Sequence, residues 1–306
     1  MRAYRVKSHA CAPCPSRGWH AMMRSMRPDS RLPITVTVIT YNEEKNIGRA
    51  IASVSGLAEE IIVVDSGSED RTVELAQAAG ARVIQNVWPG YGQQKNFAQA
   101  QARHNWILNL DADEEVGPEL DASIRAVFAR DEHTETGGGP WGYYFARKTF
   151  YLGRWIRRGG WYPNYLVRLC HKGHARWTEP HVHESLEVDE GRTALLPGDL
   201  HHYTFSSIQE QILANLRYSR RGSQDLQKRG DQPSLIRLVL KPIGKFLETY
   251  VLKKGFLDGL PGFIISINAA HSMFLKYAYL FENTRFSPQP GVKPQGQGQG
   301  KETKLA

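Results

Sequence analysis

Asp111, Asp113, Glu114 and Glu115 stand within five positions, directly after the apolar run Trp106 to Leu110 in "WILNLDADEEV". Residues two apart in an extended segment point the same way, so Asp111 and Asp113 aim two carboxylates at one point. Such a pair repels unless a cation sits beside it. Mg²⁺ or Mn²⁺ bound by one or two carboxylates completes its shell with phosphate oxygens, which makes phosphate chemistry one reading. The plainer reading is a helix start, with Asp113, Glu114 and Glu115 opposing the macrodipole and "GPEL" continuing the helix. Glu114 and Glu115 fit that second role better than Asp111 and Asp113 do.

The elements that must position these carboxylates follow a repeating pattern. "ITVTVITYN" (34–42) is a β-branched strand, and Ile47, Ile51 and Val54 behind it fall at helical spacing. Ile61 to Val64 forms a second buried strand that runs into Asp65, a Gly/Ser turn and a helix opened by Glu69 and Asp70. Short strands alternating with helices predict a mostly parallel sheet with helices on both faces. Ligands of such sheets sit at the carboxyl ends of the strands, which places Tyr41, Asp65 and Asp111 on one rim.

The formal net charge of +8 is unevenly distributed over the 306 residues. Residues 1–31 sum to +6, residues 32–205 to −6 and residues 206–285 to +6. A nucleic-acid reader would carry its positive charge on the folded core or show a reading motif, and neither is present, so no nucleic-acid partner is expected. Three cysteines build no disulfide framework. Cys11 and Cys14 in "CAPC" have zinc-knuckle spacing without a second pair, and His171, His174, His181, His183, His201 and His202 with Cys170 repeat no zinc-ligand spacing.

Four segments are expected: a disordered basic leader (1–31), an α/β domain (32–205), a helical extension (206–285) and a disordered Gln/Gly-rich tail (286–306). From about Thr134 to Leu169 the chain is rich in Gly, aromatics and Arg, as loops shaping a cleft would be. Ile208, Ile212, Leu213 and Leu216 share a helical face, and the segment after Ser234 is apolar and basic together. Its longest uncharged run, Gly259 to Leu275, is short for a membrane span. It reads either as membrane-interfacial or as an amphipathic cap packed on the domain.

Four stretches, "VITYNEEKNI", "IIVVDSGSEDRT", "GYGQQKNFAQAQA" with "WILNLDADEEV", and "TEPHVHESL", together resemble the family 2 glycosyltransferases from about Ile34 to Glu187. They are most similar to the lipopolysaccharide inner-core β-1,4-glucosyltransferase branch, including the extension "KFLETYVLKKGFLDGLPGF". The resemblance implies a GT-A (Rossmann-like) mixed, mostly parallel sheet flanked by helices, with a C-terminal amphipathic helical extension. It also implies roles. Tyr41 packs on the nucleotide base, Asp65 accepts from base or ribose, Lys95 presents a cation to the diphosphate, and Asn96 orients the nucleotide. Asp111 and Asp113 hold ribose and a divalent metal, with His183 a further candidate ligand. The family's base is an acidic residue, often in a Glu-Asp pair. His-Glu stands there in this chain, so Glu184 is the first candidate and Glu179 the second. Trp161, Tyr162 and Arg168 suit the acceptor side, since aromatic faces stack on sugars and Arg pairs with phosphate.

The expected protein is an inverting, metal-dependent enzyme moving glucose from UDP-glucose onto a heptose of a lipid-linked inner-core acceptor. It would sit peripherally on the cytoplasmic face of a bacterial inner membrane. The competing readings are a polyprenyl-phosphate glycosyltransferase, a non-catalytic membrane-peripheral nucleotide-binding module and a metal-dependent nucleotidyltransferase.

Overall fold

Strand β1 (Leu32–Thr40) is the centre of the architecture because it is buried on both faces, with Ile34, Val36 and Val38 on one and Thr35 and Thr37 on the other. In the computed structural model, which describes residues 30–129, 138–178 and 184–286, it pairs in parallel with two neighbours. Strand β2 (Ala58–Asp65) lies on one side and β4 (Trp106–Asp111) on the other. The register sets Thr40 opposite Asp65 and Ile39 opposite Asp111, so these two aspartates flank the carboxyl end of β1. That is the switch point at which doubly wound sheets bind ligands.

The intervening helices follow from the pattern of apolar residues. Helix α1 (Ile47–Val54) buries Ile47, Ala50, Ile51 and Val54. Helix α2 (Thr72–Ala78) leads to the edge strand β3 (Arg82–Gln85), and α3 (Tyr91–Ala100) leads to β4. After β4 come β5 (Glu114–Val116), α4 (Pro118–Ala129), β6 (Gly142–Tyr151), β7 (Arg154–Trp155), β8 (Asn164–His171), β9 (Ala175–Trp177), β10 (Leu186–Val188) and β11 (Thr193–His202). The sheet runs β3-β2-β1-β4-β8-β6-β11-β5, with β8 antiparallel to β4, while β9 and β10 form a separate hairpin. A parallel half joined to a mixed half is the sheet that the sequence predicts.

One expectation is corrected. Glu114 and Glu115 do not open the following helix; they lie in β5, and α4 begins at Pro118 with Glu119 and Asp121 in its first turn. Pro is suited to the first helical position, whereas the residues before it are held extended. Val116 is buried and Glu114 is wholly enclosed, so tertiary contacts settle the matter.

The chain forms two units. The first contains, among described residues, 30–146, 164–178 and 184–200; the second contains 147–163 and 201–286. In the second, α5 (Ile208–Lys228) and α6 (Leu235–Phe246) both pack on the long helix α7 (Gly259–Arg285). Two buried polar contacts fix this unit. The Tyr151 hydroxyl donates to Gln211 Oε1 at 2.6 Å while Asn268 Nδ2 donates to the same oxygen. Asp258, 3% exposed, accepts from the backbone N–H groups of Arg157 and Arg158. Among the described residues, no helix is long and apolar enough to cross a membrane.

Gly198 marks a close approach in the first unit. Its φ is +100°, and a Cβ there would lie 2.3 Å from the backbone nitrogen of Leu120. Gly198→Ala is therefore expected to destabilise the protein by about 3 kcal/mol or more, read as a lowered urea midpoint.

Candidate active site

Asp111 ends β4 in the grip of two cations. Arg168, on β8, donates to Asp111 Oδ2 at 2.5 Å and Oδ1 at 3.3 Å, and to Glu114 Oε1 at 2.9 Å. Lys95, on α3, places Nζ 3.0 Å from Asp111 Oδ1. Both cations are buried, at 4% and 6% exposure. Burial alone would raise the Asp111 pKa, but the charges of Arg168 and Lys95 hold it well below the usual carboxylate range. Asp111 is thus ionised at every working pH. Glu114 closes the cluster by accepting the Asp111 N–H at 2.9 Å.

Further groups converge here. Lys95 Nζ lies 4.3 Å over the Trp177 ring and 3.8 Å from Glu184 Oε1. Trp177 is fixed from two sides. Asn96 donates to its carbonyl at 2.9 Å and accepts its N–H at 3.0 Å, and its indole Nε1–H donates to Asn109 at 3.1 Å. Asn109 is the polar residue inside "WILNLD", and its Nδ2 donates in turn to the Arg168 carbonyl at 3.2 Å. The amide of Asn96 thereby positions the ring that Lys95 covers.

The rim loops are ordered by their own side chains. Asp65, fully buried, accepts from the N–H groups of Gly67 and Ser68 at 2.8 Å each. Asn42 N–H donates to the Ser68 hydroxyl, and Glu69 N–H donates to Asn42 Oδ1, both at 2.8 Å. These bonds tie the loop after β1 to the loop after β2. Tyr41 sits half-buried in the first of these loops.

Asp113 is 3% exposed, and a second buried carboxylate shares its field. Burial, together with the charges of Asp113 and Asp70, pushes Glu43 up to about 7 even though Asn46 donates to it at 2.8 Å. This excess of negative charge is what a divalent cation relieves. Among the described residues no group of three or more His, Cys, Asp or Glu is arranged as a protein cage. The donors therefore fit an ion held chiefly by Asp113 and completed by phosphate and water, as Mg²⁺ and Mn²⁺ commonly are. Asp111 fits less well as a ligand, because both its oxygens lie against Arg168 and Lys95.

The structure brings together Lys95, Asp111, Glu114, Arg168 and Glu184. Arg168, read from sequence as an acceptor residue, lies behind the Asp111 carboxylate. Trp161, in the second unit, packs with Tyr151 and Phe205 at ring separations of 5.7 and 6.3 Å, and Tyr162 is half-buried. Glu179, His181 and His183 lie outside the described residues. Cys170 is buried and its thiol is pushed up to about 12 by that burial, so it stays protonated. Sequence reasoning missed Glu43, Glu114 and Trp177. Glu43 was legible as the acid next to Asn42 in "YNEE", whereas Trp177 carried no signal before its ring met Lys95.

A model of glycosyl transferase family 2 matches residues 35–183. An uncharacterized glycosyltransferase of Rickettsia typhi is 35% identical over 257 residues, spanning 81% of this chain and 87% of that protein. A lipopolysaccharide core biosynthesis glycosyltransferase, LpsC, of Rhizobium meliloti is 30% identical over 86% of this chain and 97% of its own length. Among solved structures, glucosyl-3-phosphoglycerate synthase of Mycobacterium tuberculosis, in complex with Mn²⁺, UDP and glucosyl-3-phosphoglycerate, is 28% identical. It covers 47% of this chain and 51% of its own, with a TM-score of 0.30. The chain belongs to glycosyltransferase family 2, and it is a glycosyltransferase.

Glu43 gives the site a pH signature. Its folded pKa of about 7 exceeds the ordinary 4.5, so the native state binds the extra proton and stability falls as pH rises from about 4.5 to about 7. Glu43→Gln removes that loss. Metal-free protein carrying the substitution should gain up to about 3 kcal/mol over wild type at pH 8 and nothing at pH 4, measured by chemical denaturation at both pH values.

Proposed function

We propose that the chain catalyses inverting, metal-dependent transfer of a hexose, glucose from UDP-glucose, onto a heptose of a lipid-linked lipopolysaccharide inner core. The observation that carries this reading is the Lys95, Arg168 and Asp111 cluster at the carboxyl end of β4, with Glu184 3.8 Å from Lys95. Support for the acceptor comes from the relative named for lipopolysaccharide core biosynthesis.

In this reading Tyr41 stacks on the base and Asp65, with the loop it caps, lines the nucleoside pocket. Asp111 accepts from the ribose, its orientation fixed by Arg168. Lys95 offers its ammonium to the diphosphate. Asp113 would hold the divalent ion, which when bound neutralises charge on the departing diphosphate. Glu184 takes the proton from the acceptor hydroxyl as that oxygen attacks the anomeric carbon from the side opposite the leaving group. Glu179 is the second candidate for this proton transfer. Trp161 and Tyr162 contribute to acceptor binding. The +6 segment 206–285 suits attachment to the cytoplasmic face of the inner membrane.

The test is a panel of nucleotide sugars with Mn²⁺ or Mg²⁺, scored by nucleoside diphosphate release with purified core acceptor. UDP-glucose should be turned over, chelation should abolish turnover, and Asp113→Ala should lower kcat at least 100-fold. Full activity in chelator contradicts the metal role. Sugar transfer to prenyl phosphate with none to core acceptor identifies the polyprenyl-phosphate enzyme instead.

A further inference from the structure

Helix α6 carries its apolar residues outward. An amphipathic helix of a folded domain ordinarily turns that stripe to the core. Here no residue of the helix is buried, and its Leu235, Ile236, Val239, Leu240 and Ile243, with Leu247 directly after its end, are 49–75% exposed. At 100° per residue these six fall within one sector of about 140°, so they form a continuous face rather than scattered exposure. The face extends along the chain through Leu252 at 76% and Leu260 at 69% exposure.

Its surroundings are basic. Residues 235–254 contain five Arg/Lys and one Glu, and that acid, Glu248, is paired with Lys245 at 3.0 Å and Lys253 at 2.5 Å. Ile236, Leu240 and Met273 line an open groove that Arg237, Lys241 and Lys245 also border. An apolar face bordered by lysines matches a surface with acyl chains below and negative charge above. The chain's own ends offer a poor cover. Residues 287–306 contribute only Val292 and Leu305 among large aliphatics, and residues 1–29 carry six Arg/Lys against one Asp.

We infer that the α6 face, continued to Leu252 and Leu260, is the surface by which this protein docks on an anionic lipid bilayer. The inference rests on the reading of the acceptor as lipid-anchored. Insertion is shallow and in the plane of the interface, because no described helix suffices to cross. The apolar face supplies hydrophobic transfer, and Lys241 and Lys254 supply attraction that salt screens.

The experiment is flotation of the full-length protein with vesicles of phosphatidylethanolamine containing 30% (about one third) phosphatidylglycerol, against pure phosphatidylcholine. Wild type should float with the anionic vesicles, stay down with phosphatidylcholine, and be released as salt is raised. The I236E/L240E/I243E variant, altered only at exposed positions, should lose at least ten-fold in partitioning, and K241E/K254E should lose a similar factor with sharply reduced salt dependence. Both variants should keep wild-type turnover of nucleotide sugar with detergent-dispersed acceptor. Vesicle binding that persists in the triple variant overturns the inference. So does a dimer, seen by light scattering, that the triple variant dissociates in a protein that never floats. Absent sugar transfer with vesicle binding intact contradicts the transferase reading and leaves the membrane face standing.

Discussion

The ion pair between Asp111 and Arg168 is the constraint on which the rest of the site depends. A carboxylate at the end of a buried parallel strand is tolerable only if its charge is answered there. Arg168 answers both Asp111 and Glu114, and Lys95 answers Asp111 from the helix above. Removing one member of such a cluster leaves a buried charge without compensation, which typically costs about 3–5 kcal/mol. The network therefore ties β4, β5, β8 and α3 to one another.

Polar groups inside the sheet extend the same logic outward. Asn109 interrupts an apolar strand yet joins three elements, because it accepts from Thr37 and the Trp177 indole and donates to the Arg168 carbonyl. Asn96 then holds the Trp177 backbone, so the ring beneath Lys95 is positioned from two directions. In the second unit, Gln211 and Asp258 join segments distant in sequence in the same way. What distinguishes that unit is an apolar helix face left exposed among its described residues.

The parallel half of the sheet was legible because β-branched runs, helical spacing and the position of each aspartate agree. Asp65 and Asp111 were placed on one rim from sequence, and the register of β1 with both neighbours sets them there. The misreading of Glu114 has a clear cause. Local propensity near a proline and an acidic cluster suggests a helix start, but the partner that buries Glu114 comes from Arg168, 54 residues away. The pairing of Arg168 with Asp111 and Glu114 was illegible for the same reason. Trp177 and Glu43 matter through long-range packing, which periodicity does not encode. The amphipathic character of α6 was visible in the sequence; which way its apolar face points was not.

The central claim is that this cationic and anionic cluster is the diphosphate end of a nucleotide-sugar site. Calorimetric titration of UDP, in the presence of Mn²⁺, into wild type and Lys95→Gln tests it most directly, with the fold of the variant checked by its melting curve. The account predicts binding by wild type and at least about ten-fold weaker binding by the variant, the scale of a lost charge-assisted contact. Equal affinity in the two proteins would contradict it.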